Sequence, residues 1–422
     1  MRICFISRRY FPAISGMSVY AQNYLKELVL LGHDVVMISQ YRDDDAGTRI
    51  YGGGPPPLVE GVVVVGLEAL GERQVTLGQA ADFESDLKTM VRTALAHHAI
   101  KPFDIVHAQY GYPNGMAALE ISRRTGIPNV VSIQGGDGHW VGLCCETHRR
   151  AIGAVFDHAN ELIIGSPSFA AEVHENHGTA LDRFTVISGA INADHFRPRG
   201  GRQLGEVGTP PTLLYHGRVD RRKGVLELIE AMAQLRAEGR AVRSVISGIG
   251  PDLETAKELV GALSLGDMIE FPGYVPYAEV PEAYRSADLF LSPTWSEGFS
   301  NTILEAMASG LPIVAARAVG VVDCLTHMEN ALLHEVHDVA GMCRQITRLL
   351  DDPQLRRRLA ENALREIETK YRWPVIARQI LGRLEHARSL PPDNRWTTSY
   401  DPDTSLADTD LTCRFRKYPH LL

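Results

Sequence analysis

The chain has 422 residues, enough for two or three domains at about 100–200 residues each. Hydrophobic residues make up 45% and charged residues 22%, an ordinary globular composition that can bury a large core without disulfide or metal staples. Lys and Arg number 43 against 51 Asp and Glu, and the resulting net charge of −8 argues against a dedicated nucleic-acid binder.

Arg2–Ser7 reads as a buried strand. A loop with Pro12 and Gly16 follows, then a helix predicted from about Ser18 to Leu31 and stopped by Gly32. Asp34–Ser39 is the next strand, and Tyr41–Glu60 is a long loop rich in Gly and Pro. Val62–Gly66, Asp104–Ala108, Val130–Ile133, Glu161–Ile164 and Phe184–Ile187 are further strands, most of them separated by helical patterns. Such alternation predicts a parallel sheet covered on both faces. Arg197–Pro211 has the Gly/Pro content of a linker, after which the pattern restarts at Thr212–Tyr215. Strands are then expected near Arg243–Ser247, Met268–Phe271, Leu289–Leu291 and Ile313–Ala315, followed by helices over Asp338–Leu350, Pro353–Lys370 and Trp373–Ala387. The expected layout is α/β: two Rossmann-like doubly wound domains, 1–196 and 212–372, facing each other across a cleft and joined by a linker at 197–211. A helix at 373–388 packs back on the first domain, and 389–422 is a weakly structured tail.

The cysteines Cys4, Cys144, Cys145, Cys324, Cys343 and Cys413 form no Cys-x2-Cys pair. Their spacing fits neither a zinc site nor a disulfide framework, so reduced and mostly buried thiols are expected. The N-terminal apolar run is short for a signal peptide, and no run approaches the roughly 20 apolar residues of a membrane span. A cytoplasmic protein is expected. Arg8-Arg9, Arg123-Arg124 and Arg149-Arg150 would allow a peripheral contact at the inner face of a membrane if they shared one face.

The densest chemical signal is Ser292-Pro-Thr-Trp-Ser-Glu297-Gly298-Phe299-Ser300-Asn301, which joins a strand to a helix carrying Glu305 one turn in. The helix start offers unpaired N–H groups to an anion, and Gly298 permits close approach of a ligand. Glu297 and Glu305 flank that anion site. Such a pair suits a phosphate joined to hydroxyl-bearing groups, as in a nucleotide sugar, although a capping carboxylate beside an exposed one would use the same residues. Arg218 and Lys223 lie after the first strand of the second domain, placed to neutralise a diphosphate or simply to form a solvated basic loop. Gly248-Ile249-Gly250 is a weak Gly-x-Gly turn, and no P-loop is present.

These segments, Gly217-Arg218 with Lys223-Gly224, Gly248-x-Gly250, Phe271-Pro-Gly273-Tyr274-Val275-Pro, Ala287-Asp288 and Glu297-Gly-Phe-x4-Leu-Glu305 through Gly310-x-Pro312, occur in the order of a known family. The second domain resembles the donor domain of retaining glycosyltransferases of family 4, with the GT-B fold. The resemblance implies a nucleotide-diphosphate sugar (UDP-, GDP- or ADP-linked) as donor and a sugar, glycolipid or small-molecule acceptor. It assigns Arg218 and Lys223 to the diphosphate, Glu305 to the ribose hydroxyls and Glu297 to the donor sugar. Backbone of Gly298, Phe299, Ser300 and Asn301 would cradle sugar and phosphate, and the base would lie near Tyr274 and Val275. In the first domain, Gly16 resembles the second glycine of the family's phosphate loop. Gln134-Gly-Gly-Asp137 resembles a segment in which a histidine often stands where this chain has Gln134. Glu297, Asp137 and Gln134 are thus the expected catalytic-side residues, with His107 and Tyr110 as acceptor-side candidates. No Asp-x-Asp motif stands at a strand end, so neither a metal nor a cofactor is expected. The function implied is metal-independent, retaining transfer of a hexosyl group in glycan, glycolipid or polysaccharide synthesis. A phosphorylase- or epimerase-like enzyme, or a non-catalytic sugar-nucleotide-binding subunit, remains as an alternative.

Overall fold

Arg2–Ser7 forms β1, and five of its six residues are buried because a central parallel strand is covered on both faces. In the computed structural model, residues 1–8, 16–42, 54–201, 203–398 and 408–419 are described. The expected phosphate-loop residues before Gly16, most of the 41–60 loop, and Arg9 lie outside them.

The first sheet adds β2 (Asp34–Tyr41), β3 (Val62–Glu68), β4 (Ile105–Gln109), β5 (Asn129–Ile133), β6 (Glu161–Ile164) and β7 (Phe184–Val186). Its order is β3-β2-β1-β4-β5-β6-β7 and every pairing is parallel, with Ile3 between Val35 and Ile105. The second sheet comprises β8 (Thr212–His216), β9 (Arg243–Ser247), β10 (Ile269–Gly273), β11 (Leu289–Ser292), β12 (Ile313–Ala316) and β13 (Leu332–His334). Its order is β10-β9-β8-β11-β12-β13, again parallel throughout. In each sheet the order reverses at one place, between β1 and β4 in the first and between β8 and β11 in the second. Open α/β sheets bind ligands beyond the strand ends at that place.

The predicted strands all form, with ends shifted by one or two residues. β13 was not predicted; three residues, Leu332–His334, are too few to show a period. The first helix spans Gly16–Leu30 and so starts two residues before the predicted Ser18.

The chain divides into two compact units, one of Met1–Ala13, Met17–Ser188 and Ile376–Leu422, the other of Ile14–Gly16 and Gly189–Val375. The stretch expected to be a linker, 197–211, counts with the second unit and is hydrogen-bonded into it. Arg356 Nε donates to the Gly205 carbonyl at 2.7 Å, and the buried Asp288 carboxylate accepts from Gly208 N–H at 3.1 Å and Thr212 N–H at 2.6 Å. Its Gly and Pro residues shape an ordered surface path, a use that composition cannot separate from flexibility.

Residues 389–422, expected to be weakly structured, contain short helical turns at Arg395–Thr398, Asp408–Leu411 and Arg414–Lys417. Trp396, Phe415 and Arg416 are fully buried. Within the first unit Arg383 also pairs with Glu161 at 2.5 Å. Arg416 lies inside because its guanidinium forks onto Glu84 at 2.9 and 2.8 Å, which offsets the cost of burying a charge. Among the described residues no helix is long and apolar enough to cross a membrane.

Asp288→Ala would leave two backbone N–H groups in the second unit without their acceptor. It is expected to lower Tm by about 2–8 °C, read in a thermal melt, with Asp288→Asn losing less. An unchanged Tm in the Ala variant would contradict the role given to this carboxylate.

Candidate active site

At the end of β8 the chain turns through Gly217 and Arg218 to Asp220, a buried carboxylate that organises the basic segment. Asp220 accepts from Arg218 Nη2 at 2.5 Å, from Arg222 Nη2 at 2.7 Å and from Arg222 N–H at 2.9 Å. Despite burial, the two guanidinium groups hold its carboxyl well below the usual carboxylate range. Tyr215 fixes the same turn by donating to the Arg218 carbonyl at 2.7 Å. This basic run is therefore a built turn rather than a loosely solvated loop. Asp220 stands in the sequence between Arg218 and Lys223, and only the fold shows that its carboxylate pairs with Arg218 and Arg222.

Lys223 leaves this turn and meets the segment after β11. Its Nζ lies 2.7 Å from Glu297 Oε1, with both side chains partly exposed. Glu297 is held from behind, its N–H donating to the Val319 carbonyl at 3.0 Å. Gly320 sits against the same loop at φ +75°, where an added Cβ would come within 2.2 Å of the Glu297 carbonyl oxygen. Only glycine combines that backbone with that approach.

Gly298, Phe299 and Ser300 then lead into the helix Asn301–Ala308. Ser300 occupies the cap position, yet its hydroxyl lies 3.2 Å from the Thr302 hydroxyl and makes no side-chain cap. The first-turn N–H groups and the positive end of the helix dipole are thus not closed off by a side chain, as an anion site requires. Glu305, one turn in, is buried and accepts from Tyr284 Oη at 2.7 Å. Burial pushes its carboxyl up to about 7, the tyrosine hydrogen bond opposing part of that rise.

Gly250 has a packing reason that differs from ligand approach. A Cβ there would lie 2.2 Å from the Val219 carbonyl oxygen, where Val219 N–H donates to the Ile249 carbonyl at 3.0 Å. The Gly-x-Gly turn is what lets the β9 end zip against the β8 end. Tyr274 and Val275 follow β10 and are half-buried, Val275 against the core.

The first unit corrects three expectations. Asp137, expected to orient a hydroxyl, is buried and accepts from the N–H groups of Gly111 (2.7 Å), Tyr112 (3.2 Å) and Gln134 (2.9 Å). Its carboxylate ties the β4 and β5 ends together and caps the short helix Gly135–His139. His107, expected on the acceptor side, is buried in β4 between Tyr24 Oη (3.2 Å) and Ser132 Oγ (2.9 Å). Burial pushes its imidazole down to about 3, so it stays neutral in the core. Arg8 is buried against Glu72 at 2.5 Å, which removes it from any lipid-facing patch. Of the other arginines proposed for that patch, Arg123 and Arg124 share Glu120, and Arg149 and Arg150 lie on Glu146.

Gln134 at the end of β5 and Tyr110 at the end of β4 are half-buried, and Gly16 is exposed at its helix start. Tyr110 holds φ +82°, a strained backbone for a residue with a Cβ, of the kind found near functional sites.

Two family models match the chain: "Glycosyl transferase 4-like domain" over residues 15–190 and "Glycosyl transferases group 1" over residues 197–366. The chain belongs to the family 4 glycosyltransferases. A D-inositol 3-phosphate glycosyltransferase from Arthrobacter sp. (strain FB24) is 30% identical over 276 residues, covering 60% of this chain and 64% of that protein. Sucrose-phosphate synthase from Thermosynechococcus elongatus superposes with a TM-score of 0.76 at 22% identity, covering 92% of this chain and 98% of that one. Anabaena Alr3699/HepE, solved in complex with UDP and glucose, gives a TM-score of 0.69 at 17% identity, covering 92% and 100%. These superpositions show that the glycosyltransferase has the GT-B fold.

Sequence reasoning did not select Asp220, Arg222, Tyr284 or Gly320. Asp220 and Arg222 adjoin chosen residues, and a charge-alternating run after a strand was a usable signal. Tyr284 and Gly320 had none, since each acts through a contact distant in sequence. In this glycosyltransferase, Gly320→Ala is expected to lower the melting temperature and weaken nucleotide-sugar binding by displacing Glu297. Gly261→Ala, where an added Cβ meets nothing within 4 Å, should change neither. Melting and calorimetric titration with UDP-, GDP- and ADP-linked sugars check both variants, and equal behaviour of the two would refute the role of Gly320.

Proposed function

We propose that the chain transfers a sugar from a nucleotide-diphosphate sugar to a hydroxyl acceptor with retention of anomeric configuration. The observation that carries this reading is the 2.7 Å Lys223–Glu297 ion pair beside the uncapped start of the helix Asn301–Ala308. A cation, an anion-binding helix end and a carboxylate together match a donor that bears both a diphosphate and a polyol. HepE, solved in complex with UDP and glucose, supports the same donor class.

On donor arrival, Lys223 exchanges Glu297 for a phosphate oxygen, and Glu297 turns to accept from a sugar hydroxyl. Lys223, the helix N-terminus and the Arg218 guanidinium stabilise the negative charge that grows on the departing diphosphate. The bond from the anomeric carbon to the phosphate oxygen breaks as the bond to the acceptor oxygen forms on the same face. The acceptor proton passes to the leaving phosphate. Asp137 is committed to three N–H groups and takes no part. Gln134 cannot serve as acid or base and acts as a hydrogen-bonding group, with Tyr110, on the acceptor side. Positive charge comes from side chains and a helix, so turnover is expected to persist when Mg2+ and Mn2+ are withheld. The acceptor belongs to the sugar, polyol or glycolipid class, and a panel that includes inositol 3-phosphate addresses it directly.

Lys223→Ala and Glu297→Ala are each expected to reduce kcat/KM by about 100-fold or more. Lys223→Ala should also weaken the free nucleoside diphosphate, whereas Glu297→Gln should spare that affinity and lose sugar transfer. Product analysis with donor alone and with acceptor separates transfer from epimerisation or phosphorolysis. Unchanged turnover and nucleotide affinity in both alanine variants would overturn the assignment.

Glu305 supplies a pH test. Ribose hydroxyls are best accepted by the carboxylate form, so nucleotide affinity should rise with pH up to about 7 and then level off. Stability runs the other way. The folded carboxyl ionises later than in the unfolded chain, so stability is full below the unfolded value near 4.5 and declines as pH rises towards about 7. Glu305→Gln should flatten both profiles, raising Tm at pH 8 relative to the parent while weakening the nucleotide. Calorimetry and melting across pH 5–8 read both, and an unaltered affinity profile in the variant would exclude Glu305 from the ribose.

A further inference from the structure

Three cysteines and a histidine outside the transfer site come together in the first unit. Cys144 and Cys145 immediately precede the helix Glu146–His158, and His148 lies in its first turn. Cys413 arrives from a position 265 residues away from His148 and caps the turn Arg414–Lys417. Cys144 Sγ is 3.1 Å from His148 Nδ1 and 4.0 Å from Cys145 Sγ, and Cys413 Sγ is 3.7 Å from the same Nδ1. One ligand atom from each residue fits within a span of 4.8 Å.

A tetrahedral zinc ion with bonds of about 2.3 Å to sulfur and about 2.0–2.1 Å to nitrogen sets its ligands about 3.5–3.8 Å apart, close to these separations. A disulfide, by contrast, would need about 2.05 Å between sulfurs, and all three thiols are free. Three sulfur donors with one imidazole select zinc over the oxygen-seeking magnesium and calcium. His148 is fully buried among Tyr112, Phe83 and Phe415, and its Nε2 finds no hydrogen-bond partner among the described residues. The polar contacts of this imidazole therefore all run through Nδ1 into the sulfur cluster. Nothing in the transfer chemistry uses these four groups.

We propose that Cys144, Cys145, His148 and Cys413 hold one zinc ion in a closed, four-ligand site that fastens the 408–419 segment to the first unit. The segment is already docked on both sides of the cluster. Asp410 accepts from Glu146 N–H at 3.1 Å and from the Thr147 hydroxyl, and Arg416 forks onto Glu84. The ion replaces the thiol protons, which leave to solvent, and ties two chain segments distant in sequence. With four protein ligands it offers no open position and is structural. Sequence spacing concealed the site because Cys144 and Cys145 are adjacent and the fourth ligand is near the other end of the chain.

The test uses the full chain purified without chelators, with metals quantified by mass spectrometry. About one zinc per chain is expected, falling about tenfold or more in Cys413→Ser and His148→Ala. His148→Cys, which restores a ligand, should recover the metal; a merely packed imidazole would not be rescued this way. Replacement by cobalt should give the thiolate charge-transfer and strong d–d bands of a tetrahedral site in the unmodified protein, so the proposal does not depend on any variant folding. Absence of zinc both as purified and after incubation with zinc salt, a disulfide among the three cysteines, or full zinc retention in Cys413→Ser would each overturn it.

Discussion

The candidate site of this glycosyltransferase is organised around one ion pair, Lys223 with Glu297 at 2.7 Å, which joins the segments that follow two neighbouring strands. β8 and β11 are adjacent in the sheet although the whole β9–β10 excursion separates them in the chain. Parallel order brings their carboxyl ends to one edge, and reversal of strand order there leaves room beyond them. The pair neutralises itself until a ligand with complementary charge arrives. In the proposed reading, specificity for a molecule that is both phosphate and polyol follows from the two partners having different replacements.

The surrounding residues keep that pair in place. Asp220 collects Arg218 and Arg222, so that like charges share a turn without repelling the chain apart. Gly320 and the Val319 carbonyl hold the Glu297 backbone, and Tyr284 holds Glu305 in an apolar setting that makes its ionisation expensive. In the first unit the same logic is used for structure. Asp137 spends its whole carboxylate on three N–H groups, and His107 stays neutral between two hydroxyls. Polar residues at strand ends thus fall into two kinds, those exhausted by the protein and those left with capacity for a ligand.

The cysteine cluster and Arg416 show a second theme, the capture of the C-terminal segment by buried polar groups. A buried guanidinium is tolerable only with a partner such as Glu84, and the buried His148 imidazole meets the sulfurs of Cys144 and Cys413 through Nδ1. The residues that composition marks as a polar tail therefore contribute core groups to the first unit.

The sequence by itself determined the two parallel sheets and nearly every strand, and its motifs singled out Arg218, Lys223, Glu297 and Glu305 as candidates. These are local facts: alternating periodicity, turn residues and motif spacing are written in neighbouring positions. Only the tertiary structure decided that Asp137 and His107 are structural, that 197–211 is built into the second unit, and that Tyr284 reaches Glu305. It alone gathered Cys144, Cys145, His148 and Cys413. Each of these depends on contacts between segments far apart in sequence, and whether a carboxylate, imidazole or thiol is free or spent is set by what the fold brings to it.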